Sequence, residues 1–102
     1  MSLSAAPPYS VIVPAHNEGR VISRLLQGLL GGFAHDDPAR PEVIVVCNGC
    51  SDDTAAVARS AAPGCKVIEL AQGSKPLALN AGNAAATAYP RFFVDADILV
   101  TH

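Results

Sequence analysis

Two carboxylates, Asp95 and Asp97, stand one alanine apart directly after the apolar run at residues 92–94. If that run is a strand, a turn at its carboxyl end can bring both side chains to one point. Two carboxylates at one point suit a hard divalent cation, which prefers oxygen ligands and can hold a phosphate on its open side. Aspartate is also a common turn residue after a strand, so the pair by itself leaves a metal site and a plain turn as alternatives.

Repeating units of strand, loop and helix precede the two aspartates. Residues 9–13 and 42–46 are β-branched apolar runs without alternation, as in strands that are buried on both faces. Residues 66–70 alternate enough to lie nearer a sheet edge. Pro14 is expected to end the first strand, and Asn17 is expected to cap the helix that follows.

Three helices are predicted from apolar positions that recur with helical spacing. The positions of the first helix are Val21, Ile22, Leu25, Leu26, Leu29 and Leu30. Those of the second are Val57, Ala58 and Ala61, and those of the third are Leu77, Ala81, Ala84, Ala85 and Ala88. The alanines of the third helix permit close packing on a sheet, and a fourth strand is predicted at residues 91–94.

Strands that alternate with helices predict an α/β sandwich with a mainly parallel sheet, because each crossover must be right-handed. Ligands of such sheets bind beyond the carboxyl ends of the strands. The polar segments at residues 14–18 and 47–54 and the two aspartates all belong to that edge. The sequence therefore predicts a ligand site where these polar residues meet.

The composition narrows the possible partners. The chain has 102 residues, enough for one domain, with a formal net charge of −2 and no Lys/Arg cluster, which argues against a nucleic-acid partner. No apolar run is long enough for a membrane segment, and residues 1–8 lack the features of a secretory signal. We expect residues 1–8 to be a disordered lead-in to a domain at 9–102. Three cysteines, an odd number, agree with a reducing compartment, so a cytoplasmic location is expected.

The phosphate-binding loops of common nucleotide-binding folds are absent from the sequence. There is no Gly-x-x-x-x-Gly-Lys-Ser/Thr loop, and no Gly-x-Gly-x-x-Gly follows the first strand. The chain carries instead Pro-Ala-His-Asn-Glu at 14–18, Asn-Gly-Cys-Ser-Asp at 48–52, Gly-Ser-Lys at 73–75 and Asp-Ala-Asp at 95–97. In these motifs and their order it resembles the family 2 glycosyltransferases, from Tyr9 to the end. The resemblance implies their nucleotide-sugar-binding half, a Rossmann-like three-layer α/β sandwich of the GT-A type, here truncated after the fourth strand.

The resemblance also implies roles for residues of the first two motifs. The residues that would line the nucleotide pocket are Pro14, Ala15, Asn17 and Glu18. Of these, Glu18 would lie near the ribose and the base. Asn48 stands where the family more often has an aspartate that hydrogen-bonds the base edge, and an amide can do this with a different order of donor and acceptor. Cys47 departs further, because the family often has another acidic residue there.

The last two motifs would hold the diphosphate. Lys75 matches the lysine of the family's Gly-Lys turn, and its ammonium could offset diphosphate charge. By the same resemblance, Asp97 would be the direct ligand of Mg²⁺ or Mn²⁺. Asp95 would contact the ribose, or the metal through water.

The reaction that the resemblance implies is an inverting transfer of a sugar from a UDP- or GDP-linked donor to a sugar, lipid or other hydroxyl acceptor. A divalent metal would neutralise charge on the leaving phosphate. The reaction also needs a general base, which in the family lies well downstream of the Asp-x-Asp and is therefore expected beyond His102. The chain is thus expected to be the donor-binding part of a transferase and inactive alone. Membrane association, if any, would come from a missing C-terminal part.

Two other functions remain as alternatives. Cys47 and Cys50 form a Cys-x-x-Cys between a strand and a helix, as in thiol redox modules, and they could also bind zinc. A zinc site needs two more ligands, and Cys65, His16 and His35 are not spaced as a second pair. The second alternative is a regulatory module that binds a nucleotide without catalysis.

Several polar residues of the predicted site also have ordinary structural interpretations. Asp52, Asp53 and Thr54 are expected as caps and first-turn residues of the second helix rather than as ligands. His16 is expected in the pocket wall or facing solvent rather than as a catalytic base. Lys75 can equally be a solvated surface lysine.

Overall fold

The computed structural model describes residues 7–34 and 36–96, in which strands and helices alternate. In chain order the elements are β1 (Ser10–Ala15), α1 (Gly19–Leu30), β2 (Glu42–Asn48), α2 (Thr54–Ala61), β3 (Lys66–Leu70), α3 (Lys75–Ala85) and β4 (Arg91–Phe93). The strands form a parallel sheet in the order β3-β2-β1-β4. This order confirms the predicted α/β class and the predicted edge position of β3.

The direction of the strand order reverses at β1. From β1 the chain crosses to β2 and then to β3, and it then returns to place β4 on the other side of β1. In open parallel sheets, ligands bind at the carboxyl ends of the strands where the order reverses. The loop after β1 and the residues after β4 both lie at that point.

The side chains of β1 and β2 divide the core into two parts, one on each face of the sheet. One part packs with α1 and α2, and its strand residues are Val11, Val13, Ala15, Val43, Val45 and Cys47. The other part packs with α3, and its strand residues are Ile12, Ile44 and Val46. Helices therefore cover both faces, as in the predicted three-layer sandwich. Burial on both faces explains why these strands have continuous apolar sequences.

Pro14 does not end β1, contrary to the expectation from sequence, because the strand continues through Ala15. The carbonyl of Ile12 faces β4 and accepts a hydrogen bond from the Val94 N–H. Pro14, two residues further, faces the same side, but the pairing of β1 with β4 ends at Ile12. The missing N–H of the proline therefore removes no bond from the paired part of the strands.

The face that α3 turns toward the sheet is also partly different from the predicted one. The residues that contact the sheet are Ala78, Ala81, Gly82 and Ala85. Leu77 is 44% exposed and Ala84 is exposed, so both were wrongly predicted to be buried. A methyl group at Gly82 would clash with Cγ2 of Ile12, which shows how closely the helix backbone approaches the strand. Ala81 and Ala85 lie on both the predicted and the observed face, whereas Ala88 lies beyond the end of the helix.

The proposed lead-in at residues 1–8 falls mostly on residues outside the described ranges. It remains a prediction, as does the extent of the domain over residues 9–102. Among the helices of the described residues, none is long and apolar enough to cross a membrane.

Candidate functional site

A cleft of about 410 Å³ opens at the carboxyl edge of the sheet, between the ends of β1 and β2 and the start of α3. The residues that line it come from separate parts of the chain: Pro14, His16, Glu18, Asn48, Lys75 and Asp95. All of them except His16 belong to the predicted set of donor-binding residues, and His16 takes the wall position expected for it. The fold therefore brings together polar segments that are far apart in the sequence.

Asn48, the last residue of β2, is held through both its side chain and its main chain. Its Nδ2 donates to the carbonyl of Ala15 at 3.0 Å, and its own carbonyl oxygen lies 2.6 Å from Nδ1 of His16. Asn48 is only 7% exposed, so it forms the floor of the cleft. Ala15 packs its side chain in the core and contributes only its carbonyl to this region.

Lys75 and Asp95 form an ion pair at the mouth of the cleft. The Lys75 Nζ lies 2.8 Å from the Asp95 Oδ1, and the side chains are 59% and 54% exposed. The pair joins the first residue of α3 to the segment that follows β4. An exposed ion pair contributes little to stability, and this one places a cation and a carboxylate side by side at the mouth of the cleft.

Asn17 neither caps α1 nor lines the cleft, so its predicted capping role was wrong. Its φ of 51° is left-handed, a conformation that asparagine tolerates, and the N-cap position is taken by Glu18. The Asn17 Oδ1 accepts hydrogen bonds from the N–H of Ser51 at 2.7 Å and that of Asp52 at 3.2 Å. The side chain is thus used for a contact that is distant in sequence, which no local pattern reveals.

A set of hydrogen bonds, here called the loop clasp, joins the β1–α1 loop to the β2–α2 turn. Consecutive backbone N–H groups of Asn17, Glu18 and Gly19 donate to side chains of the turn. Their acceptors are Cys50 Sγ at 3.3 Å, Thr54 Oγ1 at 3.0 Å and Asp52 Oδ2 at 3.2 Å, respectively. Because these N–H groups are already bonded, the start of α1 does not offer them to a phosphate, unlike folds that bind diphosphate at a helix N-terminus.

Asp52 accepts several hydrogen bonds within the loop clasp. Its Oδ1 accepts from the N–H of Thr54 at 3.0 Å and from the Thr54 hydroxyl, while Oδ2 accepts from Gly19. The hydrogen bond from the Thr54 side chain lowers the pKa of Asp52, and backbone N–H groups lower it further. Asp52 therefore caps the start of α2 as expected, whereas Asp53, at the N-cap position, makes no side-chain cap bond.

The predicted metal ligands are only partly described. Asp97 lies outside the described residues, so coordination by residues 95–97 stays a prediction. Within the described ranges, no group of three or more His, Cys, Asp or Glu side chains could hold a metal ion. Asp95 offers the carboxylate oxygens that Mg²⁺ and Mn²⁺ prefer, and it is half exposed at the cleft, so it fits as one ligand of such an ion.

Cys47 and Cys50 do not have the environment of an activated thiol pair. Cys47 is buried at the end of β2, and this burial, together with the neighbouring Cys50, raises the pKa of its thiol to about 12. Reactive and metal-binding thiols have lowered pKa values instead. Cys50 takes part in the loop clasp, and the cysteines are all free thiols. These observations argue against a thiol redox or zinc-binding module.

Thr54, like Asn17, makes contacts near the site that the sequence does not predict. Its position predicts only a helix start, whereas its side chain reaches back to the β1–α1 loop. A run of Ser-Asp-Asp-Thr after a strand suggests that some side chain turns toward a neighbouring loop. The sequence does not specify which one, because the partner is 36 residues away.

Comparison with solved structures identifies proteins of the same architecture. Glucosyl-3-phosphoglycerate synthase from Mycobacterium tuberculosis, in a crystal structure with Mn²⁺, uridine diphosphate and phosphoglyceric acid, has 26% sequence identity and a TM-score of 0.75. That match covers 93% of this chain and 34% of the synthase. Another crystal structure of the M. tuberculosis synthase has 25% identity and a TM-score of 0.73, and it covers 93% and 36% of the two chains. This chain therefore spans about a third of the length of these structures.

A search of curated proteins gave no significant match. The sequence profile described as glycosyl transferase family 2 matches residues 10–102, a range that contains all the motifs named above. The parallel sheet with helices on both faces is the predicted Rossmann-like fold of the GT-A type. Because the family profile covers nearly the whole chain and the fold agrees with it, the chain belongs to glycosyl transferase family 2.

Proposed function

We propose that this protein binds a nucleotide-diphosphate sugar in the cleft and serves the transfer of the sugar to an acceptor hydroxyl. The observation that carries the proposal is the convergence of Pro14, Glu18, Asn48, Lys75 and Asp95 in one cleft. The family membership supports it, as do the uridine diphosphate and Mn²⁺ bound in the similar synthase.

The base of the nucleotide would lie on the floor of the cleft, against Asn48. Since the Asn48 Nδ2 donates to the Ala15 carbonyl, the Oδ1 of this amide is the atom left to accept a hydrogen bond from the base. Uracil and guanine both present a ring N–H donor, which agrees with a UDP- or GDP-linked sugar. In this arrangement Glu18 would lie near the ribose.

The diphosphate would lie at the mouth of the cleft, near Lys75. The exposed Lys75 ammonium would turn from Asp95 to a phosphate oxygen, which would free the Asp95 carboxylate. Asp97, with Asp95 directly or through water, would hold Mg²⁺ or Mn²⁺. Such an ion would neutralise the charge that builds on the leaving diphosphate.

The general base for an inverting transfer is proposed to lie beyond His102. In the proposed arrangement Glu18 faces the ribose and Asp95 serves the metal ion, so both carboxylates have other tasks than that of the base. This chain would then be a donor-binding part that is inactive alone. The acceptor is proposed only as a class, the hydroxyl group of a sugar, a lipid or another compound.

Calorimetric titration with UDP and with GDP, each in the presence and absence of Mn²⁺, tests the proposal. One of the two should bind in a metal-dependent way, and Asp97→Ala should abolish that dependence. Asp36→Ala is a matched control, because it removes an exposed carboxylate from the connection between α1 and β2. Binding that survives both EDTA and Asp97→Ala would overturn the metal role, and binding of neither nucleotide would overturn the donor site.

A cytoplasmic location is also proposed. The three cysteines are free thiols, which agrees with a reducing compartment. Cell fractionation of the full-length gene product tests this proposal. Recovery in the membrane fraction would contradict it.

A further inference from the structure

Thr54 lies at the start of α2 and cannot reach a ligand. Its exposed fraction is 0%, and it does not line the cleft. Its hydroxyl nevertheless takes part in two hydrogen bonds, one as donor and one as acceptor. It donates to the Asp52 carboxylate and accepts the backbone N–H of Glu18 at 3.0 Å. This buried hydroxyl is therefore a direct link between the β2–α2 turn and a cleft residue.

Glu18 is the residue through which this link would affect the cleft. Its carbonyl accepts the first hydrogen bonds of α1, from Val21 and Ile22, and its Oε1 accepts the N–H of His16. Its own N–H is bonded to Thr54. The Thr54 hydroxyl thus fixes the point where the β1–α1 loop enters the helix, and with it the direction in which the Glu18 side chain leaves the backbone.

We propose that Thr54 is a positioning residue for the sugar donor: its hydroxyl, oriented by Asp52, holds the backbone of Glu18 so that the Glu18 side chain faces the ribose in the cleft. This inference rests on the proposed function of the cleft. Thr54 makes no contact with the donor and acts only through Glu18.

Two substitutions of Thr54 separate the hydroxyl from the rest of the side chain. Thr54→Val keeps the shape but removes the acceptor of the Glu18 N–H and the donor to Asp52. Thr54→Ser keeps the hydroxyl and removes a methyl group. We expect Thr54→Val to weaken UDP binding in the presence of Mn²⁺ about tenfold, whereas Thr54→Ser retains the wild-type affinity to within about twofold.

A double-mutant cycle with Glu18→Ala distinguishes positioning from a general loss of stability. If Thr54 acts through Glu18, Thr54→Val should cause no further loss of UDP affinity in the Glu18→Ala background. A general structural effect would weaken binding equally in both backgrounds. Asp52→Ala, at an exposed position, removes the acceptor of the Thr54 hydroxyl and provides a second variant of the same link if Thr54→Val folds poorly.

Hydrogen exchange of the Glu18 amide tests the link without any ligand. Exchange should be faster in Thr54→Val and in Asp52→Ala than in the wild type, and unchanged in Thr54→Ser. The cycle is measured with whichever nucleotide, UDP or GDP, the wild type binds. If Thr54→Val binds that nucleotide as tightly as the wild type does, or lowers its affinity equally in both backgrounds of the cycle, the positioning role is wrong while the proposed function stands. If the wild type binds no nucleoside diphosphate, the proposed function fails and the inference fails with it.

Discussion

The proposed role of Lys75 in binding the diphosphate can be tested separately from its contribution to the fold. Its ion pair with Asp95 is exposed at the mouth of the cleft, and such pairs contribute between 0 and about 1 kcal/mol to stability. We expect Lys75→Met to weaken UDP affinity about tenfold, because a charge-assisted hydrogen bond to phosphate is lost, with little change in melting temperature. Calorimetry at low and high salt measures this effect, which should shrink as salt screens the charge.

Arg24→Met is the control for the Lys75 variant. Arg24 is an exposed cation on α1 that does not line the cleft, so its removal should leave the affinity for UDP within about twofold of the wild type. Equal affinities of Lys75→Met and the wild type would remove Lys75 from the diphosphate site.

The residues that line the cleft could be predicted from the sequence better than the hydrogen bonds that hold the neighbouring loops in place. Glu18, Asn48 and Lys75 were assigned from motifs whose order along the chain was informative, and they do meet in one cleft. The contacts of Asn17 and Thr54 were missed, because each partner lies more than 30 residues away and either side chain could equally have capped a helix. Hydrogen bonds between loops depend on the fold and have no local sequence pattern.

The packing of α3 on the sheet depends on the absence of a side chain at Gly82. A methyl group there would clash with Ile12, so Gly82→Ala should destabilise the protein by about 1–3 kcal/mol even though alanine favours a helix by about 1 kcal/mol. Asn80→Ala on the exposed face of the same helix is the control, and it should be neutral or slightly stabilising. Urea unfolding measures both variants. A Gly82→Ala variant as stable as the wild type would show that α3 can move away from β1 without cost.

At the scale of elements, composition predicted the strands more reliably than the helix faces. Continuous β-branched runs identified β1 and β2, because few other structures bury every residue of such a run. The alanine-rich sequence of α3 left its buried face uncertain, since alanine fits on either side of a helix. The end of β1 was misplaced at Pro14 because the cost of a proline depends on whether a neighbouring strand extends past it.

The amino ends and the carboxyl ends of the strands form two opposite edges of the sheet, and these two edges have different roles. Opposite the cleft, Glu42 accepts hydrogen bonds from the Ser10 hydroxyl at 2.8 Å, the Thr87 N–H at 2.8 Å and the Lys66 Nζ at 2.7 Å. These partners belong to β1, to the segment after α3 and to β3. Glu42 therefore holds the amino edge of the sheet together, while the carboxyl edge carries the cleft.

This network predicts the acid sensitivity of the fold. Burial alone would raise the pKa of Glu42, but the hydrogen bonds from Lys66, Thr87 and Ser10 outweigh it and lower the pKa from 4.5 to about 2. Because the pKa is lower in the folded state, the stabilisation is present above about pH 4.5 and is lost as the pH falls toward 2. Between pH 4.5 and 2, the free energy of unfolding of the wild type should therefore fall by about 3 kcal/mol more than that of Glu42→Gln.

Urea unfolding at a series of pH values measures this difference. Glu69→Gln is the matched control, because the Glu69 carboxylate pairs with Arg59 with side chains that are 62% and 53% exposed. It should change stability by about 0.5 kcal/mol or less and leave the pH dependence unaltered. An identical pH dependence in Glu42→Gln and the wild type would show that Glu42 does not hold the sheet edge as described.

The proposed binding of a nucleoside diphosphate in the carboxyl-edge cleft can be measured directly. The most direct test is a titration of isotope-labelled protein with UDP or GDP and Mg²⁺, followed by the chemical shifts of the backbone amides. We predict that one nucleotide shifts the amides of His16, Glu18, Asn48 and Lys75, while those near Glu42 stay unchanged. Absence of any shift with either nucleotide, or shifts confined to the opposite edge of the sheet, would contradict the claim.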